Sequence, residues 1–205
     1  MYIETKRFII RKYKMSDFED YFEFASQPNV GPRCGWPAYP NTEEGRNKAK
    51  QWLENKIKTS PLQFCIDEKE TNKVIGAIEI MNVKLRQDEN LFIEDEKELG
   101  LLLNENYWGG GRMTEVIRVI VKYCFDVMKL KKVHAGYFAP NIGSGIVQAK
   151  AGMQVVGIIK DYIVWYLTNE KVDLIQTCIT KNDYESVDDI KKIYKNVHYT
   201  VNEEE

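Results

Sequence analysis

The chain has 205 residues, of which 43% are hydrophobic and 12% aromatic, and these values are typical of one globular domain with an ordinary core. No stretch approaches the roughly 20 consecutive apolar residues of a membrane span, and the opening MYIETKR lacks the apolar core of a secretory signal. The 29 basic and 31 acidic residues give a formal net charge of −2, which offers no general field for holding nucleic acid. We therefore expect a soluble, cytoplasmic protein with neither nucleic acid nor a membrane as its partner.

The first third of the chain is predicted to contain one strand and two helices. Residues 8–13 are typical of a strand, and a helix is predicted over 16–27, where Pro28 ends it. Residues 29–41 hold three of the six prolines, so we expect an irregular but ordered loop there. A second helix is predicted over 42–58 from apolar residues at helical spacing.

The middle of the chain changes to the pattern of strands. Residues 62–67, 73–83 and 98–103 are β-rich runs that predict an antiparallel meander. The charged stretch 86–97 is predicted to be a solvated hairpin loop, with an acidic docking surface for a cationic substrate as the alternative.

Helices and strands alternate towards the end of the chain. Apolar residues recur every three or four positions over 116–128, which predicts an amphipathic helix that covers the sheet. The elements predicted after it are a strand over 132–138, a helix over 142–151, a strand over 153–159 and a hairpin of 162–167 with 172–180. The sequence therefore predicts an α+β fold with a mixed sheet, as one domain over 1–185. The tail, 186–205, is predicted to be a short helix or disordered, and its apolar residues could dock on the body or in a homodimer.

The four cysteines are widely scattered and form neither a CxxC motif nor a Cys/His spacing for zinc. They are Cys34, Cys65, Cys124 and Cys178. We interpret them as reduced thiols and predict no metal site.

Three consecutive glycines, Gly109–Gly111, stand between a predicted strand and the long predicted helix. Glycines there would expose unpaired N–H groups at a helix N-terminus, an arrangement that suits a phosphate. A P-loop is disfavoured because Arg112 and Met113 follow the last glycine, and the dinucleotide fingerprint fails at Thr114. A tight glycine turn without a ligand remains the alternative.

The motifs around these glycines resemble the GNAT N-acetyltransferases, and more narrowly their RimJ/RimL-type branch. They are ELGLLL at 98–103, YWGGGRMTE at 107–115, NIGSG at 141–145 and KAGM at 150–153, accompanied by TKRFIIR at 5–11, GWP at 35–37 and TKND at 180–183. The resemblance covers residues 4–184 and implies a largely antiparallel, twisted sheet with a splayed central strand pair. It also implies acetyl-CoA as the donor and CoA as the product.

The resemblance assigns the cofactor site residue by residue. The pyrophosphate would bind the turn of Trp108, Gly109, Gly110, Gly111, Arg112, Met113 and Thr114. This sequence departs from the superfamily pattern at Trp108 and at Met113, where a small residue is commoner, and we expect Met113 to crowd the turn without abolishing it. An N–H group of Leu101, Leu102 or Leu103 would meet the thioester oxygen.

Two residues after the strand at 132–138 would complete the donor side. Asn141 is implied to hydrogen-bond the CoA arm, and Ser144 is the candidate proton donor to the departing thiolate. Alternatively, Ser144 only caps the helix that follows Asn141.

Glu79 and Glu98, on adjacent predicted strands, are the candidate general bases, although a strand glutamate can equally face solvent. His134 is interpreted as a packed or surface histidine, and His198 lies in the tail.

The resemblance implies that the acceptor is selected by the loop at 30–36 and the hairpin at 162–171. Candidate acceptor-binding residues are Cys34, Gly35, Trp36 and Trp165, although the tryptophans could instead belong to the core. A nucleophilic role for Cys34 is disfavoured because no activating histidine is near it in sequence.

Taken together, these features predict an acetyl-CoA-dependent N-acetyltransferase that works by direct attack in a ternary complex. Its acceptor would be a primary amine: a protein N-terminus, an amino acid or another small amine. The alternative is a CoA- or acyl-CoA-binding sensor or interaction module without turnover.

Overall fold

The structure, a computed structural model, describes residues 2–85 and 88–203, except for the side chains of residues 84–91. Its strands are β1 Tyr2–Glu4, β2 Phe8–Lys12, β3 Gln63–Glu68, β4 Lys73–Leu85, β5 Asp88–Leu103, β6 Lys132–Phe138, β7 Gln154–Val164, β8 Lys171–Thr180 and β9 Thr200–Asn202. Its helices are α1 Phe18–Ala25, α2 Val30–Arg33, α3 Glu43–Thr59, α4 Arg112–Asp126, α5 Ile142–Lys150, α6 Lys181–Ser186 and α7 Asp188–Lys195.

The described strands form one sheet in the order β7, β8, β6, β5, β4, β3, β2, β1, β9. Neighbours pair antiparallel except β5 and β6, which are parallel. The predicted α+β fold with a mixed, largely antiparallel sheet is therefore confirmed.

The central strands β5 and β6 separate part of the way along. Their pairing runs from Glu96 opposite Lys132 to Leu99 opposite Ala135. Beyond that point β5 continues to Leu103 and β6 to Phe138. This separation is the splayed strand pair that the resemblance implied.

Each face of the sheet is covered by its own hydrophobic cluster. The main core lies under α4, whose apolar stripe is fully buried and includes Val116, Ile117 and Ile120. The other face carries α1 and α3, where the rings of Tyr21 and Trp52 stack at 5.3 Å. Burial of both faces accounts for the closely spaced apolar residues along the central strands.

The prediction of a loop over 86–97 is wrong for residues 88–97, which belong to β5. Four of them pair with β4, from Lys97 opposite Asn82 to Asp88 opposite Leu85, across two register shifts. The charges do not stop the pairing because several have partners on neighbouring strands, such as Lys97 with Asn82 and Glu96 with Lys132. Residues 86 and 87 lie outside the described residues.

Two further predictions need correction. The loop at 29–41 contains the short helix α2. The strands predicted at 153–159 and 162–167 form one strand, β7, with a register shift between Ile159 and Ile163. Asp161 takes a left-handed φ of 51° at that irregularity, which explains why the alternation of side chains is broken there.

The tail continues both the core and the sheet. Ile190 and Tyr194 of α7 are buried, and the Tyr194 hydroxyl donates to the carbonyl of Ala151 at 2.7 Å. Strand β9 pairs with β1 at the edge of the sheet. Within the described ranges, no helix is long and apolar enough to cross a membrane.

Candidate active site

A cleft of about 500 Å³ opens where β5 and β6 separate. It is lined by the end of β5, the glycine turn, the first residues of α4, one side of α5 as far as Lys150, and α2 with Cys34 after it. The predicted cofactor residues all line it: Leu101, Leu102, Leu103, Trp108, Gly109, Gly110, Gly111, Arg112, Met113, Thr114, Asn141 and Ser144. Of the predicted acceptor residues, Cys34 lines the cleft as well.

The glycine turn owes its shape to backbone conformation. Gly109, Gly110 and Gly111 have φ values of 85°, 57° and 71°, a left-handed region that other residues adopt only at a cost. A Cβ atom at Gly109 or Gly111 would meet no heavy atom within 4 Å. Glycine is therefore required there for its conformation, and the space beside the turn is open to a ligand.

The turn presents unpaired donors to that space. Helix α4 has no side-chain cap at Gly111. The N–H groups of residues 109–111, 113 and 114 have no acceptor among the residues that the structure describes. Together with the positive end of the α4 dipole, these donors fit the pyrophosphate that the resemblance implies.

The back of the turn is held by contacts that the sequence did not suggest. Arg7 donates to the carbonyl of Gly110 at 3.0 Å and to the carboxylate of Glu115 at 2.7 Å, and Thr5 donates to the same carboxylate at 2.7 Å. Arg112 donates to the buried carboxylate of Glu68 at 2.7 Å. Thr5, Arg7 and Glu115 lie in the motifs that carried the resemblance, so those motifs include the support of the turn.

Met113 is 8% exposed and packs into the main core. Its length is therefore accommodated within the hydrophobic cluster around α4.

The end of β5 directs backbone groups into the cleft. The carbonyl of Leu103 accepts from the indole of Trp108 at 2.8 Å, and the carbonyl of Leu101 lies 3.7 Å from the Cys34 sulfur. Because the N–H and C=O of one strand residue point to the same side, the N–H of Leu101 also points away from β4. This is the orientation required of a donor to the thioester oxygen.

Ser144 is oriented by a buried chain of hydrogen bonds. The amide of Gln148, which is fully buried, donates to the Ser144 hydroxyl oxygen at 3.0 Å and to the carbonyl of Gly136 at 3.2 Å. Its oxygen accepts from the Thr177 hydroxyl at 2.7 Å. The Ser144 hydroxyl oxygen thus accepts a hydrogen bond from the protein, and its own proton remains free to be donated.

Ser144, which was considered as the cap of α5, does not occupy its N-cap position. Asn141 occupies the N-cap position but makes no capping hydrogen bond, and its side-chain amide donates instead to the carbonyl of Arg33 at 3.2 Å. Ser144 is the third residue of α5, and its hydroxyl accepts from Gln148 and makes no capping hydrogen bond to the described backbone.

Glu79 and Glu98 lie outside the residues that line the cleft and differ in their surroundings. Both oxygens of Glu79 accept from Lys56, at 3.0 and 3.2 Å. Glu98 is half-buried and has no hydrogen-bond partner among the described side chains; burial raises the pKa of its carboxyl, and the nearby His134 offsets this only in part. Glu98 is therefore the freer of the two carboxyl groups.

The two histidines that the sequence offers are not part of the cleft. His134 stands opposite Glu98 in the parallel pairing, and its Nε2 lies 2.7 Å from Glu96, so it is a paired strand residue. His198 is exposed near the end of the chain.

The predicted acceptor residues gather around α2. Gly35 has a φ of 88°, and a Cβ there would lie 3.1 Å from the ring of Phe138 at the end of β6. The Trp165 indole is 4% exposed and donates to the carbonyl of Pro32 at 2.9 Å, and Trp36 packs against Gly31. Cys34 keeps an exposed edge in the cleft, but desolvation by its neighbours raises the pKa of its thiol, which does not favour a nucleophile.

Residues 7–154 match the family model described as the acetyltransferase (GNAT) domain, and the chain belongs to that family. The curated Bacillus subtilis (strain 168) protein named uncharacterized N-acetyltransferase YnaD is 29% identical over 163 residues, which are 80% of this chain and 88% of that protein. With this family membership, the fold and the cleft define a GNAT-type N-acetyltransferase.

Solved structures share the fold. A GNAT-family acetyltransferase from Bacillus anthracis has a TM-score of 0.72 and 24% identity, covering 88% of this chain and 98% of that one. The ribosomal-protein-S5-alanine acetyltransferase from Vibrio fischeri has a TM-score of 0.67 and 21% identity, covering 90% of this chain and 99% of that one.

We predict that Gly111→Ala lowers the free energy of unfolding by about 1–2 kcal/mol, because alanine would be held at a left-handed φ. Gly143→Ala is the matched control: it adds a methyl group in the same cleft, also with nothing within 4 Å, but in a helix where φ is negative. It should leave stability unchanged or raise it by at most about 1 kcal/mol. Urea denaturation of both variants measures the difference, and equal stabilities would contradict the strain at the turn.

Proposed function

We propose that this chain transfers an acetyl group from acetyl-CoA to a primary amine by direct attack in a ternary complex. The observation that carries the proposal is the set of unpaired N–H groups in the left-handed glycine turn, at one end of the opening between β5 and β6. Backbone donors at a helix N-terminus fit a pyrophosphate, and the opening offers the adjacent strand edge to the pantetheine arm.

In this proposal acetyl-CoA supplies the activated acetyl group as its thioester, and the protein supplies position and protons. The N–H of Leu101 donates to the thioester carbonyl oxygen, where negative charge collects as the amine attacks. The Ser144 hydroxyl donates its proton to the departing sulfur, directly or through water, while Gln148 fixes its oxygen. Solvent returns a proton to Ser144, which balances the proton that the amine loses. Asn141, at the start of α5, forms a hydrogen bond with the CoA arm.

Glu98 takes the proton from the amine through a chain of water molecules, since it lies outside the residues that line the cleft. It is preferred over Glu79 because Lys56 occupies both oxygens of Glu79. Partial burial places the pKa of Glu98 above that of an ordinary glutamate, which brings it closer to the range useful for a general base.

The acceptor is a protein N-terminus, an amino acid or another small amine, received between α2 and the turn after β7. The likeness to the ribosomal-protein-S5-alanine acetyltransferase supports a place in the RimJ/RimL-type branch. We also infer a cytoplasmic location, which the free thiols of the four cysteines favour, with a homodimer as a further expectation. The sensor without turnover is the competing function, and the cleft alone would serve it equally well.

Binding of acetyl-CoA tests the first step. We predict saturable binding to the wild-type protein by isothermal titration calorimetry, and a loss of at least about a hundredfold in affinity for Gly111→Glu, since a like charge beside the pyrophosphate costs several kcal/mol. Gly111→Ala is the control that keeps the backbone strain without the charge and should retain most of the affinity. Unchanged affinity in a folded Gly111→Glu protein would overturn the assignment of the turn.

Ser144→Ala tests the proton donor. We predict that kcat falls by about a hundredfold or more while the KM for acetyl-CoA stays nearly constant, because the lost interaction acts on the transition state. Ser186→Ala, which removes a hydroxyl at the end of α6, should change neither constant. Steady-state kinetics with an unaltered kcat for Ser144→Ala would reject the role.

Glu98→Gln tests the base and its surroundings together. Because the pKa of Glu98 is raised in the folded state, its favourable contribution is complete below the ordinary glutamate pKa and is lost as pH rises through the folded value. The free energy of unfolding of Glu98→Gln, measured relative to wild type, should therefore increase between pH 4 and pH 8. The kcat of this variant should be lower than that of wild type.

Glu96→Gln is the control of opposite sign. Burial would raise the pKa of Glu96, but hydrogen bonds from Lys132 and His134 outweigh it and lower the pKa. The free energy of unfolding of Glu96→Gln, measured relative to wild type, should therefore decrease between pH 4 and pH 8. Parallel pH profiles for Glu98→Gln and Glu96→Gln in urea denaturation would contradict the assignment.

A further inference from the structure

Arg33, the last residue of α2, lines the cleft, and no carboxylate with a described side chain pairs with it. Its Nε atom is buried and has no hydrogen-bond acceptor, and its guanidinium forms no ion pair among the residues that the structure describes. A cation in a partly enclosed cleft is costly unless an anion or a hydrogen-bond acceptor joins it.

The other arginines with described side chains are all hydrogen-bonded. Arg7, Arg11, Arg46 and Arg112 each donate to a carboxylate, and Arg118 donates to the carbonyl of Lys150. Arg33 is the exception in that set, and it is also a residue of the donor cleft.

Two indoles fix where the Arg33 guanidinium lies. Its Cζ atom is 5.4 Å from the ring centroid of Trp108 and 6.0 Å from that of Trp165. Trp165 also holds the backbone of α2 through the carbonyl of Pro32, and Asn141 holds the carbonyl of Arg33. The position of the cation is therefore set before any ligand binds.

Trp108 directly precedes the glycine turn, so the guanidinium that lies over its indole shares one cleft with the unpaired N–H groups. Guanidinium is suited to phosphate because its planar donors match two oxygens at once. The other arginine that lines the cleft, Arg112, is engaged with Glu68. Arg33 is thus the arginine of this cleft that is free to receive a charged ligand.

We propose that Arg33 binds the pyrophosphate of acetyl-CoA from the α2 side, opposite the backbone donors of residues 109–111, 113 and 114. The inference rests on the proposed function, since it assigns a residue to the same ligand. It makes α2 part of the donor site and gives that site a side-chain charge that, unlike the charge of Arg112, is not paired with a described carboxylate.

The test compares two ligands by isothermal titration calorimetry: acetyl-CoA, and acetyl-pantetheine, which lacks the pyrophosphate and the nucleotide. Arg33→Gln should lower the affinity for acetyl-CoA about ten- to a hundredfold, the range of a hydrogen bond to a charged group. It should leave the affinity for acetyl-pantetheine unchanged. Arg33→Lys, which keeps the charge, should restore most of the acetyl-CoA affinity.

Arg46→Gln is the matched control, because it removes the same charge from a pair with Glu19 outside the cleft and should alter neither affinity. An equal loss for both ligands in Arg33→Gln would show that Arg33 only packs the indoles and would overturn the proposal. Unchanged acetyl-CoA affinity, with a higher KM for amines that carry a carboxylate, would assign Arg33 to the acceptor instead. If the wild-type protein binds neither ligand, the proposed function itself fails.

Discussion

The parting of β5 and β6 after Leu99 is the constraint on which the rest of the site depends. Strand edges that separate leave backbone groups without their ladder partners, and buried groups of this kind must be satisfied in another way. Here the carbonyl of Leu103 is met by the Trp108 indole, and that of Gly136 by the Gln148 amide. The N–H of Leu101 is directed to the same opening and remains available to a ligand.

The site depends second on the glycine turn and on the side chains that hold it in place. Three consecutive left-handed residues would be a weak point in an isolated chain, because each glycine loses more backbone entropy on folding than other residues do. The turn is held from behind by Arg7 and Glu115, and Arg112 is held by Glu68. Side chains that are far apart in sequence thus keep the donors of the turn free and aimed at one side.

Periodicity predicted most of the elements, because their burial is regular. The strand at 132–138 has the predicted bounds, and the helix predicted over 116–128 lies largely within α4, with its apolar stripe buried. The failures have physical causes. Residues 88–97 have so many charges that they suggested solvent, yet cross-strand partners allow them to pair, and the bulge at Asp161 disrupted the alternation of β7.

The candidate cofactor residues could be predicted because their motifs are local in sequence, whereas their partners could not. Gln148 and Thr177 are 29 positions apart, and Arg7 and Glu115 are 108 positions apart, so no local pattern brings them together. Arg33 falls within the loop at 30–36, but only the fold shows that two indoles surround it and that no described residue is its counterion.

Release of CoA thiol from acetyl-CoA over a panel of primary amines tests the central claim most directly. The panel should contain peptides with free N-termini, amino acids and small amines without a carboxylate, and the same protein preparation should first be shown to bind acetyl-CoA. The account predicts amine-dependent release of one thiol per acetyl group transferred, well above hydrolysis without an amine. Saturable binding with no amine-dependent release across all three classes would contradict it and favour the sensor.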